Sequence, residues 1–196
     1  MRIIISENQL RTIIESENKI SDKKLKMYKE TIDELGVDMA VVMLNKELWE
    51  FIEMGLIESY DGDLNLTYIP IKSLGNLKKV GGELNLRNTD IETLGSLEEV
   101  GGELLLNNIP IESLGNLKSV GDNLNLRYTP IKSLGNLKSV GGYLDLSNSK
   151  IEILGNLESV GGYLSLKRTP LGEILKSKMS IDEIKNKFGV KGNLYL

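Results

Sequence analysis

The chain has 196 residues, 40% hydrophobic and 27% charged, with a formal net charge of -4, which suits one globular domain or a short domain with an extension. It contains neither Cys nor His, so disulfides, thiolate and imidazole metal sites, His-based triads and Cys nucleophiles are excluded. Lys and Arg gather in no basic cluster, which points away from nucleic acid and acidic membranes as partners.

Carboxylates, Lys, Tyr, Ser and Thr are the groups left for catalysis, and the chain is expected to be no enzyme and to need no cofactor. Met1 to Ser6 carries only the short apolar run Ile3, Ile4 and Ile5, no secretory h-region is expected, and no stretch reaches the ~18 apolar residues of a membrane span. A cytoplasmic location is the resulting expectation.

Residues 1–58 read as a helical extension and cap. Ser6 and Gln9 resemble a capping box ahead of Leu10, Ile13 and Ile14, and Ser21 opens a second helix with Leu25, Tyr28, Ile32 and Leu35 on one face, stopped by Gly36. A third helix is expected over Asp38–Met54, where Met39, Val42, Met43, Leu44, Leu48, Trp49 and Ile52 cover a broad face and Gly55 is the C-cap. Trp49 is expected against the first coil of the adjoining repeats. The first helix is a candidate partner-binding or targeting segment.

Residues 59–172 repeat every twenty residues without a slip, as in GELNLRNTDIETLGSLEEVG from Gly82 and GELLLNNIPIESLGNLKSVG from Gly102. Reading down columns assigns each position a task. The pairs Leu64/Leu66, Leu84/Leu86, Leu104/Leu106, Leu124/Leu126, Leu144/Leu146 and Leu164/Leu166 alternate as the inward face of a strand. A second apolar series, Ile71, Leu74, Leu77 and Val80 in the first coil, is spaced for extended or 3₁₀ backbone on the return side. Gly75, Gly95, Gly115, Gly135 and Gly155 mark one corner, and Gly62, Gly82, Gly102, Gly142 and Gly162 another, where backbone needs positive φ or close stacking. Pro70, Pro110, Pro130 and Pro170 mark a third. A single coil cannot bury its apolar face alone, so stability is expected as a nearest-neighbour sum along the stack.

The motif LxLxxTxIxxLGNLxxVGG resembles a leucine-rich repeat, and SLGNLKSVGGYLDLSN is similar to the repeats of receptor L-domain-like proteins, whose coils form a right-handed β-helix. The resemblance covers Asp61 to Pro170. Two departures, Thr or Ile after the strand in place of Asn (Thr89, Ile109, Thr129) and Val80 four residues before Leu84, argue against outer helices. The expected fold is therefore a β-rich repeat solenoid, of leucine-rich-repeat or right-handed β-helix type. The resemblance implies protein or glycan recognition. At the N-terminus, IIISENQLRTIIESE resembles stretches of tailed-phage proteins, which implies the alternative of a structural or virion-associated role.

Residues 173–196 read as a C-terminal cap. Ser180 and Glu183 form a capping box, Ile181, Ile184 and Phe188 an apolar face, and Gly189 a stop. Gly192 to Leu196 then repeats the strand motif, so an insertion of about ten residues with a short helix is expected before a seventh strand.

The residues that flank the inward leucines are expected to face solvent in columns roughly 4.8 Å apart, as a surface for non-catalytic recognition, with a protein the expected partner and the oligomeric state open. The candidate binding set is Tyr143, Tyr163, Tyr195, Arg87, Arg127, Lys167 and Leu105, because aromatic and cationic side chains dominate interface hot spots. A tyrosine ladder also stabilises a sheet by itself. No metal site is expected; Asp63, Glu83 and Glu103 stack as the one carboxylate column of the spacing that cation binding or glycan processing uses, against the commoner role of a solvated face. Asn76, Asn116, Asn136 and Asn156, with Ser96 in register, are expected to bond backbone of adjacent coils.

Overall fold

The computed structural model describes residues 48–53, 55 and 57–196. The first two expected helices, the start of the third, and the suggested targeting segment lie outside the described residues. Of the third helix, α1 spans Leu48–Glu53. Gly55 ends it at φ 75°, its N–H donating to the Ile52 carbonyl at 2.9 Å. Ile52 is fully buried and Trp49 packs half-buried against the core, as a cap over the first coil requires.

The molecule is a solenoid of parallel two-residue strands, two to a coil. In chain order these are β1 (Ser59–Tyr60), β2 (Leu64–Asn65), β3 (Lys79–Val80), β4 (Leu84–Asn85), β5 (Glu99–Val100), β6 (Leu104–Leu105), β7 (Ser119–Val120), β8 (Leu124–Asn125), β9 (Ser139–Val140), β10 (Leu144–Asp145), β11 (Ser159–Val160), β12 (Leu164–Ser165) and β13 (Leu194–Tyr195). The even-numbered strands and β13 form a seven-stranded sheet, and the other odd-numbered strands a six-stranded one. Leucine stands over leucine: Leu84 pairs with Leu64 on one side and Leu104 on the other, and Leu124 with Leu104 and Leu144. The return side is extended backbone and turns, as its spacing of three predicts.

Between the sheets lies one aliphatic core. Leu84, Leu86, Ile91, Leu94, Leu97 and Val100 of the second coil are all fully buried, and the equivalent residues of its neighbours repeat the pattern. Two turns close each coil. In the first, the Leu77 N–H donates to the Leu74 carbonyl at 3.0 Å with Gly75 at φ 55°. In the second, the Ile69 N–H donates to the Leu66 carbonyl at 3.0 Å and the left-handed residue is Tyr68, φ 63°. The Gly82 corner is glycine for the other expected reason: a Cβ on Gly102 would lie 2.7 Å from the Gly82 carbonyl carbon.

Thr89, Thr129 and Thr169 explain the departure after the strand. Each is buried and donates its hydroxyl to the carbonyl three residues back, at 2.7, 2.8 and 2.7 Å, while Ile109 fills the same position with hydrocarbon. Asn76 and Asn136 donate their side-chain amides to the carbonyls of Gly55 and Gly115, the expected bonds between adjacent coils. The described structure gives no such bond for Asn116 or Asn156.

The last coil carries ten extra residues, since Leu164 pairs with Leu194 rather than with a residue twenty positions on. The enlarged return of that coil forms two helices, where the sequence suggests one: α2 spans Pro170–Lys178 and α3 spans Ile181–Lys187. Pro170 is thus a helix start, not a further coil corner. Thr169 is its N-cap, accepting from the Gly172 N–H at 3.0 Å, with Pro at the position where a missing N–H costs nothing. The Ser180–Glu183 capping box forms, with Ile184 fully buried. Ile181, expected on the apolar face, is exposed instead: it is the first residue of α3, three positions ahead of Ile184.

Candidate functional site

Three columns of side chains rise from the seven-stranded sheet, and the fold uses much of the first two. In the first column, Asp63 accepts from the Glu83 N–H of the next coil at 2.8 Å, and Asn123 accepts from the Tyr143 N–H at 3.0 Å. In the second, Asn65, Asn85, Asn125 and Asp145 each accept from the backbone N–H two residues on, at 3.1 to 3.3 Å for the asparagines and 3.0 Å for the aspartate. These Asx turns bend the chain out of the strand and aim the third column.

The second column corrects the expectation that every flanking residue faces solvent: Asn85, Asp145 and Ser165 are buried, as is Ser147 of the third. Arginines of the neighbouring column lie against two of them: Arg87 Nε is 3.0 Å from Asn85 Oδ1, and Arg127 Nε is 3.9 Å from Asp145 Oδ2. In coils five and six these buried residues bond to one another. The Ser147 hydroxyl donates to Asp145 Oδ1 at 2.6 Å, and the Ser147 and Ser165 hydroxyls lie 2.7 Å apart. No buried side-chain polar atom among the described residues lacks a partner.

Over this polar floor lies an open cleft of about 520 Å3. Tyr163 and Tyr195 border it from the first and second columns, and Arg127, Tyr128, Lys167 and Arg168 from the far ends of the strands. Tyr143 and Tyr163 stack with ring centroids 4.8 Å apart, Tyr195 meets Tyr163 edge-on at 5.6 Å, and Lys167 Nζ sits 4.6 Å from the Tyr195 ring centre. Arg127 Nε is 3.9 Å from Asp145 Oδ2. Three cations thus face one carboxylate, in a chain whose net charge is -4. A second groove, along the six-stranded sheet, encloses about 350 Å3 and is lined by small residues such as Ser119, Ser139 and Ser159.

Of the seven candidate binding residues, the structure brings Tyr163, Tyr195, Arg127 and Lys167 together at the cleft. Tyr143, Arg87 and Leu105 do not line it. Tyr143 donates its hydroxyl to Glu103 at 2.9 Å, Arg87 Nε donates to Asn85 at 3.0 Å, and Leu105 is half-buried in its strand. Burial first, then the bond to Glu103, pushes the Tyr143 phenol well above its ordinary range; burial, and then the Asp145 charge, raises Tyr163 as well. In the carboxylate column Asp63 and Glu103 hold the hydrogen bonds described. No group of three acidic side chains among the described residues is placed to hold a metal ion.

Tyr128, Asn148 and Arg168 are the cleft residues that column reading misses. They belong to a fourth column, Tyr68, Asn88, Asn108, Tyr128, Asn148 and Arg168, in which every residue has φ between 56° and 63°. The three asparagines carry the signal, since Asn tolerates the left-handed region best among residues other than glycine.

Fold and surface together define the class, a parallel β-solenoid with an aromatic and cationic cleft at the C-terminal end of its larger sheet. Compared with known protein families, curated proteins and solved structures, the chain matches none. No helix among the described residues is long and apolar enough to cross a membrane.

Proposed function

We propose that this chain is a non-catalytic recognition scaffold that binds a protein partner on the outer face of its seven-stranded sheet, centred on the cleft of coils four to seven. One observation carries the reading: half-buried tyrosine and unpaired cation meet over a floor whose own hydrogen bonds are complete. Tyr and Arg with preset geometry are the side chains that supply most binding energy at protein interfaces. The neighbouring Asp145–Ser147–Ser165 network holds that surface without needing a ligand to satisfy it.

The floor also weighs against chemistry. Its one carboxylate is engaged by Ser147 and faced by Arg127, so neither a free base nor a second acid stands within the cleft for a paired mechanism. Affinity capture from the native cell tests the reading with two variants. Tyr163→Ala is expected to lose the partner, whereas Ile153→Ala, 58% exposed on the return side, is expected to keep it. Capture unchanged in Tyr163→Ala, or lost equally in both, refutes the placement.

A further inference from the structure

The cleft holds three cations and one carboxylate, and that charge imbalance selects a ligand. Asp145 Oδ1 already takes two hydrogen bonds from Ser147. The Ser147 hydroxyl, donating to Asp145, accepts from Ser165, and the Tyr195 hydroxyl accepts from Asn193 at 3.3 Å. The cations are open: Lys167 and Arg168 have no carboxylate within ion-pair distance among the described residues, and Arg127 reaches Asp145 only at 3.9 Å. A carboxylate is acceptor-only, fits a fork of guanidinium donors and neutralises the excess positive charge, which a neutral sugar leaves standing.

Backbone conformation points the same way. Arg168 and Tyr128 hold φ of 56° and 57° at the rim, where Asn88, Asn108 and Asn148 hold 56°, 61° and 60° in the same column of other coils. The turn asks for Asn, and an arginine there adds strain that no side-chain hydrogen bond or ion pair among the described residues offsets. The single floor carboxylate opposes a dianion more than a monoanion.

Resting on the strand-face reading above, we propose that the cleft binds an acidic segment of the partner protein, with a Glu or Asp carboxylate received by Arg168 and Arg127 and the flanking chain lying against Tyr163 and Tyr195. Each bond to the guanidinium is charge-assisted, and three cations together steer acidic chains towards the cleft.

The test uses the whole chain and a fluorescein-labelled, end-blocked hexaglutamate peptide read by anisotropy at low salt, with hexaglutamine as control and inorganic phosphate as competitor. Hexaglutamate is expected to bind saturably, hexaglutamine not to bind, and phosphate not to displace the peptide at equal concentration. Arg168→Asn is expected to weaken hexaglutamate about tenfold while raising the melting temperature by about 2 °C, because Asn relieves the left-handed strain. A purely structural Arg168 would not move these two readings in opposite directions. Lys167→Gln is expected to weaken the peptide without the thermal gain. Equal affinity in wild type and Arg168→Asn, binding of hexaglutamine, or displacement by equimolar phosphate overturns the inference. Partner capture separates the two failures: loss in Tyr163→Ala with retention in Arg168→Asn sinks the acidic-segment inference alone, and retention in both sinks the strand-face reading with it.

Discussion

Two glycine-to-alanine exchanges separate the reasons for which the coils carry glycine. On Gly121 a Cβ would lie 2.0 Å from the Gly101 carbonyl oxygen, at least about 1 Å inside any tolerable contact, and the obstacle is backbone of the preceding coil. Relief requires these two neighbouring coils to part locally. Three bonds span that boundary nearby: Gly121 N–H to Val100 at 2.8 Å, Asp122 N–H to Gly102 at 3.2 Å and Lys118 N–H to Glu98 at 2.8 Å. At about 1 kcal/mol each, their loss costs about 3 kcal/mol. Gly135 has φ 57° and nothing within 4 Å of an added Cβ, so alanine there meets only the left-handed penalty of about 1–2 kcal/mol. Urea unfolding followed by far-ultraviolet circular dichroism measures both, and hydrogen exchange at Gly121 and Asp122 locates the opening. If Gly135→Ala proves as destabilising as Gly121→Ala, backbone contact between coils is not what reserves that corner for glycine.

Leu124→Ala, at a fully buried position of the central coil, is expected to cost about 3 kcal/mol in urea unfolding, against less than about 0.5 kcal/mol for exposed Ile153→Ala; similar values for the two would refute a continuous packed core. Tyr143 stays protonated in the fold above the pH at which it ionises in the unfolded chain, so its contribution is full below the ordinary tyrosine range and fades as pH rises through and beyond it. Tyr143→Phe is therefore expected to flatten the alkaline decline of the urea midpoint, leaving the part due to Tyr163, and an unchanged decline would dismiss the buried Tyr143 phenol as its source.

The parts of the fold visible in the sequence are those where one physical demand acts alone. Inward leucines repeat because an aliphatic ladder is the same in every coil, and Ser180 with Glu183 announces a helix because a capping box is local. Legibility fails where demands overlap. Thr169–Pro170 reads as one more coil corner until Gly172 and Glu173 show that the same pair starts a helix. Alternation sends Asp145 and Ser165 to solvent, but contacts between coils, Arg127 beside Asp145 and Ser147 bonded to Ser165, enclose them, and no single coil contains those pairs. The left-handed column is masked by Tyr68, Tyr128 and Arg168, residues that no turn preference selects. Half of the cleft was therefore readable from tyrosines and cations, and the other half only from φ.

Asp145 is where fold and recognition can be pulled apart. Three other coils place Asn at its position, and Asn65, Asn85 and Asn125 accept the same backbone bond that Asp145 takes from Ser147. The turn is thus indifferent to the charge, and Leu105 shows that the column accepts even hydrocarbon. Asp145→Asn should leave the urea midpoint within about 0.5 kcal/mol of wild type. In the cleft it removes the only carboxylate opposing an acidic ligand and frees Arg127 from a neighbour at 3.9 Å. At low salt that change is expected to tighten hexaglutamate roughly three- to tenfold, an effect that shrinks as salt screens it. Weaker binding in Asp145→Asn would mean that the carboxylate accepts a hydrogen bond from the ligand, and charge imbalance would not be what selects it.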